Sequence, residues 1–205
     1  VMDIANQYHK AGYNVIVPDL RAHGESAGKY IGMGWLDKND ILKWIELILN
    51  EDSHAKIVLH GVSMGAATVM MASGENLPEN VVAIIEDCGY TSVKEVFSSE
   101  LKLRFNLPTF PIINSASFVS SIRARYTFDE ASSLEQIKKS DIPTLFIHGS
   151  ADNFIPVEMC HKLYDFATCK KEKLIINGAG HAQSRFLAPD EYYHTVFNFI
   201  NNNEN

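Results

Sequence analysis

Apolar residues along this 205-residue chain fall into two patterns that alternate from one end to the other. Val1, Ile4, Ala5, Tyr8 and Ala11 share one helical face, and Gly12 ends that run. Tyr13-Asn14-Val15-Ile16-Val17 then reads as a strand closed by Pro18-Asp19. Ile41, Trp44, Ile45, Ile48 and Leu49 form the stripe of a second helix, and a second strand runs from Lys56 to His60. Further strands are expected over Val81 to Ile85, Pro143 to Ile147 and Lys173 to Ile176. Amphipathic helices over Val157 to Ala167 and Pro189 to Ile200 follow the last two. Nearly continuous Val/Ile/Leu strands separated by helices predict an α/β fold: a mostly parallel, doubly wound sheet covered on both faces.

One segment breaks the rhythm. Residues 86–142, between the third and fourth strands, are more than one crossover helix needs. They hold Val93, Val96, Phe97 and Leu101 at helical spacing, a Pro108-Thr109-Phe110-Pro111 break, and a second run from Ile112 to Ile122. The reading is a small helical lid over residues 91–130; the alternative is a longer structural connection. Phe97, Phe105, Phe110 and Phe118 would suit an apolar acyl group, or simply be the lid's own core.

Composition narrows the partners. With 46% hydrophobic and 21% charged residues, residues 1–205 suit a single domain with a large core. The net charge of −7 gives no electrostatic basis for binding nucleic acid or an anionic membrane. No apolar run is long enough to span a bilayer. Cys88, Cys160 and Cys169 cannot all pair and lack metal-site spacing, so free thiols in a reducing, cytoplasmic setting are expected.

The chemistry concentrates in three loops. Lys56 to His60 leads into Gly61-Val62-Ser63-Met64-Gly65, and Ala66 to Ala72 continues as a helix with small residues at its start. Strand, G-x-S-x-G and helix hold a serine hydroxyl exposed on a strained turn. Both flanking glycines are expected to let strand and helix backbones pass closely. The helix start directs the Met64 N–H toward negative charge developing beside Ser63. A serine hydroxyl needs a base, and the base an orienting acid. Ligands of open parallel sheets lie beyond the strands' carboxyl ends, where His148-Gly149-Ser150-Ala151-Asp152 and Gly178-Ala179-Gly180-His181-Ala182 stand. Ser63, Asp152 and His181 are thus the candidate nucleophile, acid and base, with Asp87 the rival acid. His60 and His148 read as packing residues and His23 as a turn residue. Cys88 is near the site but nothing in the sequence activates it.

Pro18-Asp19-Leu20-Arg21-Ala22-His23-Gly24-Glu25-Ser26, with the three loops above, resembles the α/β-hydrolases, in particular the small-lidded Bem46-like and serine-aminopeptidase-like serine hydrolases. The resemblance implies hydrolysis of an ester, thioester or amide of a small-molecule acyl substrate through an acyl-enzyme, with no metal or organic cofactor. Acyl transfer by the same triad, or a non-catalytic binding protein on this fold, are the alternatives. It also implies strands ahead of the first helix and a second oxyanion N–H upstream of Val1. Without those strands, the 13–17 strand is expected to pair with 56–60, or a strand swap or second chain to fill the gap.

Overall fold

The computed structural model describes residues 1–204 and divides into two compact units, residues 1–32 and residues 33 onward. In the first, α1 (Met2–Lys10) buries Ile4 and Tyr8, two residues of the expected apolar face. The strand expected over 13–17 does not form, and neither does its expected pairing with 56–60. Val15, Ile16 and Val17 are 39%, 52% and 44% exposed. β-branched residues favour extended backbone, but a strand exists only where a neighbour completes its hydrogen-bond ladder. The following turn is locally closed: Asp19 accepts from the Glu25 N–H through its carboxylate and from the Ser26 hydroxyl through its carbonyl. His23 Nδ1 meets the Arg21 carbonyl at 3.0 Å, as a turn residue would.

The second unit starts its regular structure with α2 (Lys38–Glu51) and then β1 (Ile57–Val62) and α3 (Met64–Ser73). β2 (Val81–Asp87) follows, then α4 (Val93–Phe105), α5 (Ile112–Arg123) and the short α6 (Ser133–Ile137). The chain ends with β3 (Thr144–Gly149), α7 (Val157–Phe166), β4 (Lys171–Ile176), α8 (Ser184–Leu187) and α9 (Pro189–Asn201). The four strands form one parallel sheet in the order β1-β2-β3-β4.

Strand order and handedness place the helices. Right-handed crossovers stepping in one direction put α3, α6 and α7 on one face. Accordingly Phe146 of β3 packs with Met70 of α3, Ile137 of α6, and Cys160 and Leu163 of α7. Residues 66–73 of α3 are all buried, because its alanines let neighbours approach from every side. On the opposite face, the α9 residue Tyr192 donates to Asp87 of β2 at 2.9 Å and meets His60 of β1 at 3.1 Å. All three cysteines are free and buried. No helix among the described residues is long and apolar enough to cross a membrane.

The excursion between β2 and β3 is pinned at its base. Ser92 and Ser132 form an antiparallel bridge. Each hydroxyl also caps a helix, accepting from the Glu95 and Glu135 N–H groups at 3.1 and 3.2 Å. α5 buries only Ile113 and Ser117, one turn apart, and leaves its other faces uncovered.

Candidate active site

Ser63 sits between the last residue of β1 and the first of α3 with φ 55° and ψ −115°. That backbone costs a non-glycine residue about 1–3 kcal/mol and persists only where surroundings impose it. Here the Ser63 N–H donates to the Asp87 carbonyl at 2.8 Å, tying the turn to the end of β2. Close passage is also imposed by Gly61: a Cβ there would lie 2.2 Å from the Gly65 carbonyl oxygen and 2.5 Å from the Ala66 nitrogen. The expectation that both glycines serve this purpose needs correcting. A Cβ on Gly65 would meet nothing within 4 Å beyond its own stretch of helix. Met64 opens α3, so its N–H is among the first four that a helix leaves without an internal acceptor.

β3 and β4 deliver the partners. His181 Nε2 lies 2.8 Å from Ser63 Oγ, and His181 Nδ1 lies 2.8 Å from Asp152 Oδ2. A carboxylate only accepts, so the hydrogen-bond pattern assigns the proton to Nδ1 and leaves the Nε2 lone pair facing the hydroxyl. The other oxygen, Asp152 Oδ1, accepts from the Phe154 and Ile155 N–H groups at 2.8 and 2.9 Å. One carboxylate thus shapes its own loop and orients the imidazole. The Asp152 side chain is fully buried, and burial alone would raise its pKa. Hydrogen bonds from His148, His181 and the two amides outweigh that and hold the carboxyl well below the usual range.

Asp87, the rival acid, is elsewhere. Its Oδ2 accepts from Tyr192 on the α9 side of the sheet. Burial pushes its carboxyl up, against the Tyr192 hydrogen bond and the charge of Arg185. His60 shares the same tyrosine hydroxyl.

Sequence reasoning missed what His148 does. Its imidazole is completely buried, and Nε2 donates to the Ile155 carbonyl at 2.9 Å while lying 3.3 Å from Asp152 Oδ2. Burial alone would favour the neutral ring, but Asp152, the Ile155 carbonyl and Glu86 raise its pKa instead. The available signal was the spacing of His148 and Asp152 in H-G-S-A-D, which a strand-end turn can fold back on itself. Phe154 was likewise unassigned; its ring meets His181 edge-on at 4.9 Å between centroids. Arg185 donates to the Ala182 carbonyl at 2.8 Å, bracing the turn that carries His181.

Cys88 Sγ, an Asp152 oxygen and a His181 nitrogen lie within 4.8 Å of one another, the one such grouping of ligating side chains among the described residues. It fits a metal poorly. Burial, with Asp87, Asp152 and Glu86 nearby, drives the thiol to its neutral form, and Asp152 and His181 already bond each other.

The sequence profile of the alpha/beta hydrolase fold matches residues 2–112. The uncharacterized protein YqkD of Bacillus subtilis is 33% identical over 192 residues, covering 93% of this chain and 63% of that protein. Protein bem46 of Schizosaccharomyces pombe is 27% identical over 177 residues, or 84% of this chain and 53% of bem46. The chain therefore spans about half to two thirds of the length of these relatives. Among solved structures, the Pyrococcus furiosus esterase Pf2001 superposes with a TM-score of 0.78 at 22% identity, over 100% of this chain and 76% of that one. The Paleococcus ferrophilus monoacylglycerol lipase gives 0.67 at 20% identity, over 97% and 87%. With the parallel sheet and the strand-turn-helix around Ser63, these matches establish that the chain belongs to the α/β-hydrolase family.

Proposed function

We propose that this chain carries the catalytic core of a serine hydrolase that cleaves an ester, thioester or amide through an acyl-enzyme. The observation that carries the reading is the hydrogen-bonded line from Asp152 through His181 to Ser63, with both contacts at 2.8 Å. Ser63 Oγ attacks the acyl carbon as its proton passes to His181 Nε2. Asp152 keeps the imidazole in the reactive tautomer and stabilises the cation that forms. The Met64 N–H, at the positive end of α3, supplies one donor to the tetrahedral oxyanion. His181 then returns the proton to the leaving group. In the second half-reaction it takes a proton from water, whose oxygen attacks the acyl carbon, and returns that proton to Ser63 Oγ as the acyl–serine bond breaks and the acid leaves. Residues 91–130 act as a lid beside this site. In support, the Arg104 guanidinium of α4 lies 5.6 Å from the Phe154 ring, which itself flanks His181.

A fluorophosphonate probe tests the assignment. The expected adduct is on Ser63, located by mass spectrometry of the digested protein. Ser63→Ala should lose both labelling and p-nitrophenyl butyrate turnover while melting within a degree or two of the parent. An adduct on another serine, or none on folded protein, would refute the reading.

A further inference from the structure

The chain's charges are unevenly placed. Between Glu100 and Asp129 there is no acidic residue, although Lys102, Arg104, Arg123 and Arg125 fall in that interval. This is the α4–α5 hairpin, and residues 102–112 at its tip are all exposed. The exposed side chains are largely apolar: Leu103, Phe105 and Phe110 are 64%, 67% and 74% exposed at the tip, and Phe118 and Ile122 of α5 are 66% and 63% exposed. Of the phenylalanines read as lid core, only Phe97 packs inward, edge-on to Phe128 at 5.1 Å. Leaving three phenylalanines in water forgoes the stabilisation that burial gives, so such a patch marks a docking surface.

We propose that the α4–α5 hairpin docks on an anionic lipid surface, with its phenylalanines in the headgroup–acyl boundary and its cations against lipid phosphates. The surface is more than apolar. Aromatic and aliphatic tips flanked by Lys102, Arg123 and Arg125, with no carboxylate in the sequence between Glu100 and Asp129, match what an anionic bilayer interface favours. A second copy of this chain is a poorer occupant. A two-fold contact through this face would set Lys102, Arg123 and Arg125 against the same three, with no acid between Glu100 and Asp129 to pair them, Arg104 being taken by Glu100. The overall charge of −7 excludes attraction from a distance. At physiological salt, however, charges farther off than about 8 Å are largely screened, so the hairpin's own cations govern once it touches the surface. Net charge and local charge differ here, because the acids and bases are segregated along the chain.

The test is co-flotation of the protein with vesicles of phosphatidylcholine, with and without phosphatidylglycerol. Binding to the anionic vesicles is expected, weakening as salt is raised. A Phe105→Ser, Phe110→Ser, Phe118→Ser variant should lose at least tenfold in partitioning while keeping its melting temperature, since all three rings are exposed. Lys102→Glu, Arg123→Glu and Arg125→Glu should each cost about fivefold or more on anionic vesicles, the factor that about 1 kcal/mol per neutralised cation represents, and little on neutral ones. Arg104 is left in place because it pairs with Glu100. No binding to anionic vesicles, equal binding to both compositions, or unchanged binding by the Phe variant would overturn the proposal. A dimer that the Phe variant dissociates would do so in favour of self-association. Ser63→Ala should bind as the parent does, so the result stands apart from the hydrolase reading.

Discussion

Replacing each glycine of the G-V-S-M-G turn by alanine should give opposite results. A methyl at residue 61 would meet three backbone atoms, the Gly65 carbonyl oxygen and carbon and the Ala66 nitrogen, at 2.2, 2.3 and 2.5 Å. None can swing aside as a side chain could, so β1 and the start of α3 must separate. Inserting a carbon into a packed core costs typically 1–3 kcal/mol, and more where backbone has to move. We take about 3 kcal/mol. For a chain of this size each kcal/mol lowers Tm by roughly 2–4 °C, so Gly61→Ala should melt roughly 6–12 °C lower. On the proposed mechanism it should also label slowly with fluorophosphonate, because a shift of about 1 Å at Ser63 Oγ would cost on the order of 10²-fold. Gly65→Ala faces open space and replaces a poor helix former in α3, so its Tm should hold or rise, by at most about 1 kcal/mol's worth. Circular-dichroism melts and labelling rates of the two variants decide the matter. A Gly61→Ala protein that melts and labels like the parent, or a Gly65→Ala protein equally destabilised, would refute the account of why this turn contains glycine.

Asp152→Asn should lower kcat on the order of 10⁴-fold by favouring the wrong imidazole tautomer. Asp87→Asn, whose carbonyl can still accept from Tyr192, should stay within a few-fold of the parent in the same p-nitrophenyl ester assay. Since the Asp152 carboxyl is held below its unfolded value, the stability it adds is present above about pH 4 and lost as pH falls. Urea melts from pH 5 to pH 3 should therefore show a shallower decline in Asp152→Asn than in the parent. Glu86 has the opposite sign. Full burial, against the charge of His148 and the Gly89 amide, raises its pKa from 4.5 to about 8. The folded state then prefers the protonated form, and its contribution fades as pH rises from about 4.5 through about 8. Glu86→Gln should match the parent at pH 5 and be more stable, by on the order of a few kcal/mol, at pH 8.5; equal melts at both pH values would refute this.

Which acid meets the histidine turns on a parity that linear sequence does not display. Asp87 and Asp152 both follow apolar strands, so either looks able to reach His181. In the sheet, Asp87 is the final residue of β2, paired with Ile147, and its side chain falls on the α9 side, where Tyr192 takes it. Asp152 stands three residues beyond the end of β3, in a turn free of the strand's alternation, and its two oxygens divide between the loop amides and His181. Register and pleat decide this, and both depend on neighbours distant in the chain. The same holds for His148. As a strand residue it reads as packing, and only the turn that brings the Ile155 carbonyl and Asp152 to one nitrogen gives it a second role.

Features contained within a dozen residues were readable, because strand, turn and helix around Ser63 need no distant partner. The 13–17 segment was misread for the complementary reason: its residues favour extension, yet a ladder needs a second strand that five side chains cannot specify. The hairpin charges are a third case. Every acid and base was in plain view, but summing them to −7 hid an interval with four cations and no carboxylate. At the Debye length of physiological salt a surface responds to the charges within reach, so the distribution along α4–α5 governs docking there and the total does not.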